Sequence, residues 1–288
     1  MRDGKNIQFT KYHGTGNDFI MLDSRKNDMT DRSADTIARM CDRHFGIGAD
    51  GLIILEESEG QDFRMSYFNA DGKPGSMCGN GGRCATAFAS EQGWIAQSGS
   101  FEASDGLHSG SVLTDKRVKI SLNDVEGVKH LALSASDYPS LSGLANPASC
   151  FLNTGSPHLV LFVDQVDSVD VFTVGRKLRY DPQFTGGTNV NFVERTDEGI
   201  RVRTYERGVE NETLSCGTGL TAAAIAASLQ WSQIDPPIKV STRGGELEVG
   251  FKAVPGADNK EAVRQDERFT EITLIGPTTR VFDGTIKL

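Results

Sequence analysis

Two short stretches of the 288-residue chain present the same reactive group in the same setting. MCGNGGRC begins at Met77 and SCGTGL at Ser215, so Cys78 and Cys216 each open a Cys-Gly-X-Gly turn that runs into a helix-forming segment. The first backbone N–H groups of a helix lack internal partners and carry the positive end of its dipole. A cysteine placed there has its thiolate stabilised relative to a free thiol at ~8.5. The glycines let a ligand approach the backbone, whose N–H groups can hold an anion such as a carboxylate. A lone cysteine at a helix start is most simply a small buried apolar residue. Two in equivalent places point to chemistry that wants two like groups facing each other, and inversion of a carbon centre is such chemistry. One thiolate removes a proton from one face, one thiol returns a proton to the other, and the roles swap in reverse. The two helix starts would hold the substrate carboxylate and the charge that builds as the Cα–H bond breaks.

The surrounding elements repeat as well. Cys216 follows Cys78 by 138 positions, and at the same offset Tyr205 meets Tyr67, Gly217 meets Gly79, Gly219 meets Gly81, Ala223 meets Ala85 and Ser228 meets Ser90. At 139, TGS from Thr154 meets TGN from Thr15. The ordered set indicates an internal duplication into halves of domain size. In the first half, Phe19 to Leu22, GLIILEE and DFRMSYF read as strands, the last with Phe63, Met65 and Tyr67 alternating. Ala34, Ile37, Ala38 and Cys41 fall at helical spacing behind Ser33 as N-cap. NADG turns the chain, a helix is expected near Gly82 to Gln92, and RVKISL is a strand with Val118, Ile120 and Leu122 on one face. In the second half, a turn leads into the strand of NTGSPHLVLFVD, and DVFTVGRKLRY reads as a helix. TNVNFVERTDEGIRVRTYERG reads as two strands joined at Asp197 to Gly199, followed by an Ala- and Leu-rich helix and short strands. The charged stretch PGADNKEAVRQDERF is expected to be an exposed loop or hairpin tip.

Composition narrows the classes of function. A hydrophobic content of 38% and a net charge of −9 describe a globular protein without the basic patches that nucleic acid or an anionic membrane requires, so neither is expected as a partner. No apolar run approaches the ~20 residues of a membrane span, and the N-terminal residues have no apolar signal core, so the cytoplasm is the expected compartment. The cysteines at 41, 78, 84, 150 and 216 are odd in number, with no C-x-x-C or zinc spacing, which argues against a disulfide framework and a structural metal. Cys41 and Cys84 read as core, and Cys150 has no assigned role. GIGADG, Gly46 to Gly51, fits G-x-G-x-x-G but has a helix before it and a strand after it, the reverse of a dinucleotide fingerprint.

HGTGNDF, NADG, CGNGGRC, TGSPH, TNVNF, ERGVENET and SCGTG resemble the signature blocks of diaminopimelate epimerase, in order and from His13 to the last strand. The resemblance implies an α/β (α+β) fold of two pseudosymmetric domains, each a curved, mostly antiparallel sheet wrapped around a central helix. The N-terminal half would span 1–123 plus 279–288 and the C-terminal half 124–278, with the active site in the cleft between them and the chain in a homodimer. It implies a cofactor-independent epimerase that converts LL-2,6-diaminopimelate to the meso form in lysine and peptidoglycan precursor synthesis, with a small-molecule amino acid as substrate and no metal. Residue by residue, Cys78 and Cys216 match the catalytic thiols. Gly79, Asn80, Gly217 and Thr218 match the cradle of the reacting carboxylate. Asn17, Asn69, Asn189 and Arg207 match substrate-binding positions, with Arg207 suited to a bidentate grip on the distal carboxylate. His158 and Glu206 match groups that assist proton transfer, and Glu206 also counts among the substrate contacts.

Two positions depart from the family pattern. Gly51 stands where many members have Gln, and Ser156, also expected at the substrate, stands where many have Asn. Neither touches the thiols. They leave open a cofactor-independent racemase or epimerase of another amino acid, of the proline, hydroxyproline or histidine type, on the same scaffold.

Overall fold

The computed structural model describes residues 5–29, 31–133, 148–254 and 268–288. The chain divides into two compact units, Met1–Ser121 with Ile275–Leu288, and Leu122–Leu274. Each is a mixed α+β unit with a sheet and, among the described residues, two α-helices.

The first unit begins with β1 (Asn6–Gly14) and β2 (Asn17–Asp23), joined by a tight turn in which Thr15 and Gly16 both take positive φ. α1 (Ala34–Cys41) follows, with Ser33 capping the N–H of Thr36 as expected. Its buried face is Ile37, Met40 and Cys41, whereas Ala34 is exposed. Then come β3 (Gly51–Glu56), β4 (Phe63–Asn69), α2 (Gly79–Glu91), β5 (Ser98–Ala103), β6 (Gly106–Val112) and β7 (Val118–Ser121). The ladder runs β1–β2 antiparallel, β2–β3 parallel, β3–β4 antiparallel, β4–β5 parallel, then β5–β6 and β6–β7 antiparallel. β17 (Thr279–Lys287) returns from the far end of the chain to pair antiparallel with β1.

The second unit repeats this order. It holds β8 (Lys129–Ala132), β9 (Ala148–Asn153), β10 (Pro157–Phe162), α3 (Val171–Arg179), β11 (Asn189–Arg195), β12 (Gly199–Glu206), β13 (Asn211–Thr213), α4 (Gly217–Gln230), β14 (Ile238–Thr242), β15 (Gly245–Val254) and all but the last two residues of β16 (Arg268–Gly276). Here β9–β10 is antiparallel, β10–β11 parallel, β11–β12 antiparallel, β12–β14 parallel and β14–β15 antiparallel. β8 lies against β9 as β17 lies against β1. Even the short β13 has a counterpart, an isolated bridge from Phe68 to Pro74.

The runs FIML in β2 and LIIL in β3 are continuously apolar because both faces of the sheet are covered. Ile20, Leu22, Leu52 and Ile54 meet α1 in one cluster, and Leu159, Leu161, Phe192 and Tyr205 share a cluster with Val174 and Leu178 of α3. The other face wraps the central helix. Ten of the thirteen residues of α2 and ten of the fourteen of α4 are buried, so each helix is enclosed nearly all round. That explains the small residues in AAAIAA of α4, where side chains of ordinary length would not fit.

Four local expectations shift. α2 starts at Gly79, not near Gly82: the N–H of Gly82 already bonds the carbonyl of Cys78 at 2.7 Å, and the glycines hide a helical turn that carries no apolar periodicity. β7 ends at Ser121, with Leu122 only half-buried. β1 and β17, which the sequence pattern does not single out, alternate weakly because β17 is largely exposed. The expected charged loop at 255–267 lies outside the described residues; Arg268 and Phe269, its last two residues, begin β16, with Phe269 buried. Among the described residues no helix is long and apolar enough to cross a membrane.

Candidate active site

Cys78 and Cys216 are the N-cap residues of α2 and α4, with nearly the same extended backbone, φ/ψ −111°/119° and −120°/106°. The first intrahelical bonds are Gly82 N–H to Cys78 O and Leu220 N–H to Cys216 O, so the N–H groups of 79–81 and 217–219 stand outside the helical ladder. The two cysteines differ in their neighbours.

In the first unit, the Cys78 Sγ donates to Asn17 Oδ1 at 3.5 Å. The same oxygen accepts from Asn80 Nδ2 at 3.3 Å, while Asn17 Nδ2 donates to Asp50 Oδ2 at 2.7 Å. Asn80 Oδ1 in turn accepts from Arg83 Nη2 at 2.9 Å. Arg83 is fully buried and folds back along its helix, also reaching Thr15 Oγ1 and Gly79 O at 3.3 Å each. None of its partners is a carboxylate, its Nε has no partner among the described residues, and burial lowers its pKa to about 10. Asp50 is tied to Arg43 at 2.7 Å, which also grips Asp18. Burial alone would raise the Asp18 carboxyl, but Arg43 and Lys11 hold it well below the usual range. Asn69 is exposed at the end of β4, where its backbone closes the NADG turn onto Lys73 and Gly72.

In the second unit, Cys216 Sγ lies 3.6 Å from Thr218 Oγ1. Thr218 Oγ1 is 3.0 Å from His158 Nε2 and 3.3 Å from Ser156 Oγ, and Ser156 Oγ is 2.9 Å from His158 Nε2. Thr154 Oγ1 donates to the Thr218 carbonyl at 2.9 Å, fastening the β9–β10 turn to the helix start. His158 is fully buried, and burial, with Arg207 adding repulsion, pushes its pKa down to about 3, so the imidazole is neutral. Behind it, Asn191 Nδ2 reaches His158 Nδ1 at 3.2 Å and Leu159 O at 3.0 Å, and Thr204 Oγ1 donates to Asn191 Oδ1 at 2.9 Å. Gly219 is required here, because a Cβ would stand 2.5 Å from Asn191 Oδ1.

Asn189 is buried and ties loops together. Its Nδ2 donates to Pro157 O at 3.0 Å and its Oδ1 accepts the Arg207 N–H at 2.8 Å. The Arg207 guanidinium is exposed and donates to Gly186 O at 3.4 Å through Nη1. Glu206 is half-buried, with Oε2 accepting from Thr213 at 2.8 Å. The small residue at Gly51 has a local cause: a Cβ there would lie 2.5 Å from both Tyr67 Cε2 and Phe68 O. The Tyr67 ring fills the space that a side chain at 51 would take, and a Cβ on Gly75, at the ring's other edge, would stand 2.4 Å from it. Ser156 places its hydroxyl on His158, Thr218 and Asn189 alike.

Arg83, Asp50, Asn191 and Thr204 carry no sequence signal that singles them out. Arg83 and Asn191 lie inside the quoted CGNGGRC and TNVNF blocks, but a charged residue within a helix reads as solvent-facing, and only the enclosed helix makes it internal. Cys41, Cys84 and Cys150 are buried thiols whose pKa burial raises to about 12, 12 and 11. Among the described residues no cluster of three or more His, Cys, Asp or Glu could hold a metal ion. A hollow of about 400 Å3 in the first unit, lined by residues such as Gln8, Asn27, Phe88 and Arg280, contains neither thiol.

A curated diaminopimelate epimerase of Flavobacterium psychrophilum is 42% identical over 97% of this chain and 100% of its own length. The enzyme of that name from Chlorobaculum tepidum is 41% identical over 96% and 99%. Among solved structures, a phenazine biosynthesis protein of the PhzF family from Bacillus anthracis superposes with a TM-score of 0.74 at 16% identity, covering 99% of this chain and 100% of its own. A hydroxyproline epimerase from Agrobacterium vitis does so at 0.68 and 14%, covering 100% and 94%. At such identities the structures share the fold alone, so they do not favour the proline-type alternative. The family model described as diaminopimelate epimerase matches residues 9–124 and again 150–265. With near-full-length relatives of that name above 40% identity, the chain belongs to the diaminopimelate epimerase family of isomerases.

Proposed function

We propose that the protein interconverts LL- and meso-2,6-diaminopimelate without a cofactor, using Cys78 and Cys216 as its acid and base. The observation that carries this is the repeated N-cap cysteine: two thiols, each on the first turn of an enclosed helix, in equivalent places of two units with the same ladder order. In one direction the thiolate of one cysteine takes the Cα proton, and the S–H of the other gives its proton to the opposite face of the carbanion. The acid then ends as thiolate and the base as thiol, so atoms and charge balance. The N–H groups of 79–81 and those of 217–219 each lie at a helix start whose dipole favours a carboxylate such as the substrate's. Those donors also stabilise charge that spreads onto the carboxylate as the C–H bond breaks.

Asn80 and Thr218 stand at the first turns as the side-chain part of that cradle. Arg207, exposed and anchored through its backbone by Asn189, takes the distal carboxylate. Asn17, Asn69, Ser156, Asn189 and Glu206 complete the recognition of the second amino-acid head. His158, neutral and buried, supports the Cys216 side through Thr218. The product would feed lysine and peptidoglycan precursor synthesis, with the enzyme in the cytoplasm as a homodimer. Incubating the purified protein with LL-diaminopimelate in deuterated water, with no added cofactor, should yield meso product labelled at one Cα. Faster exchange at the Cα of proline or hydroxyproline than of diaminopimelate would overturn the assigned substrate.

A further inference from the structure

The two half-sites have the same backbone but hydrogen-bond chains of opposite polarity. In the first unit the chain is pinned at both ends by groups that can play only one role. Arg83 can only donate and the Asp50 carboxylate can only accept. Between them the direction is forced: Arg83 to Asn80 Oδ1, Asn80 Nδ2 to Asn17 Oδ1, Asn17 Nδ2 to Asp50 Oδ2. The atom turned toward Cys78 Sγ is therefore an oxygen, and the contact at 3.5 Å is favourable only if the sulfur keeps its proton.

In the second unit the Leu159 carbonyl can only accept, which fixes Nδ2 of Asn191 on that side and also against His158 Nδ1. The neutral imidazole must then accept at Nδ1 and carry its proton on Nε2. Nε2–H points at the hydroxyls of Thr218 and Ser156. Thr218 Oγ1, accepting from the imidazole, has its own hydrogen left for Cys216 Sγ at 3.6 Å. One sulfur thus meets an acceptor and the other a donor.

We propose that these chains set the resting protonation of the pair, with Cys216 the thiolate and Cys78 the thiol, and that Asn191 and Thr218 are positioning residues for that state. This rests on the reading of the two cysteines as the acid–base pair. The charged and titratable groups around Cys78 include Arg83, Cys84 and, through Asn17, Asp50; those behind Cys216 include His158 and, acting on it, Arg207. Arg83 works against the assignment, since a buried cation attracts a thiolate. Its donated hydrogen bonds, however, end on Asn80, Thr15 and Gly79, not on sulfur. A thiolate at 78 would face the Asn17 oxygen with no proton between them.

Thiolate absorbance at 240 nm, titrated from pH 5 to 10, tests the assignment without any epimerase assay. The three buried cysteines are pushed to about 11 or 12 and lie above that window. The low-pH step should persist in Cys78→Ser and vanish in Cys216→Ser. Thr218→Val should move the step up by about one pH unit, roughly a tenfold change in thiolate fraction, and Thr218→Ser should restore it. In the unmodified protein, iodoacetamide at pH 7 should alkylate Cys216 about tenfold faster than Cys78 by peptide mass spectrometry. Accessibility alone predicts the opposite order, because Cys78 is the more exposed. Preferential reaction at Cys78, or a low-pH step that survives only in Cys216→Ser, would show that the Arg83 cation dominates and would overturn the proposal. Failure of deuterium incorporation into diaminopimelate would instead count against the proposed activity.

Discussion

Asn191 Nδ2 stands 3.2 Å from His158 Nδ1, and that contact decides which nitrogen of a fully buried imidazole carries the proton. Replacing the amide by a carboxylate, Asn191→Asp, would present an acceptor to Nδ1 and favour the other tautomer or the imidazolium. Turnover should fall by about 10²–10⁴, the range of a misdirected acid–base group, and Asn191→Leu should fall comparably. Steady-state kinetics on purified variants checks this. An Asn191→Leu enzyme with unchanged kcat would show the histidine tautomer to be irrelevant to the reaction.

Single replacements of the paired thiols should be equally severe. Cys78→Ser and Cys216→Ser should each lose roughly 10²–10⁴ in kcat, while urea midpoints stay near wild type because serine is close in size. Cys84→Ser, in a fully buried place that the chemistry does not use, should instead cost stability. Full epimerase activity in either of the first two would remove the two-thiol mechanism.

His158 makes stability depend on pH with a defined sign. Burial holds its folded pKa at about 3, whereas an unfolded histidine titrates near ~6.5. Between those values the unfolded chain binds a proton that the folded protein refuses. The contribution is complete above pH 6.5 and is lost as pH falls toward 3, about 2 kcal/mol by pH 5. His108 has the opposite sign: burial lowers it, but Asp105 and the Ser121 carbonyl outweigh that and raise it. The clean comparison is therefore between wild type and His158→Asn by urea unfolding at pH 8 and pH 5, where the variant should lose less on acidification.

Gly51 and Tyr67 should behave as a pair. Gly51→Gln forces a Cβ to within 2.5 Å of the Tyr67 ring and should cost about 1–3 kcal/mol in thermal or urea unfolding. Adding Tyr67→Ala should recover part of that cost. If Gly51→Gln is as stable as wild type, the ring moves aside freely and the glycine has another cause.

The sequence by itself disclosed the duplication, the two Cys-Gly-X-Gly turns before helices and several strands of each unit, because each is a local pattern. A repeated Cys-Gly turn, an alternation such as Phe63–Met65 and a doubly buried run such as LIIL are written in adjacent residues, whereas the N-cap place of Cys78 is not. The ladder order, the return of β17 to β1 and the enclosure of α2 and α4 were decided by pairing between residues far apart in the chain. The same is true of Arg83, Asp50, Asn191 and Thr204. Their roles arise from which hydrogen-bonding atom each turns toward a partner across the sheet, and one-dimensional spacing carries no direction for a hydrogen bond. Two turns that look alike as text thus place an amide oxygen beside one sulfur and a hydroxyl beside the other only once the chain is folded.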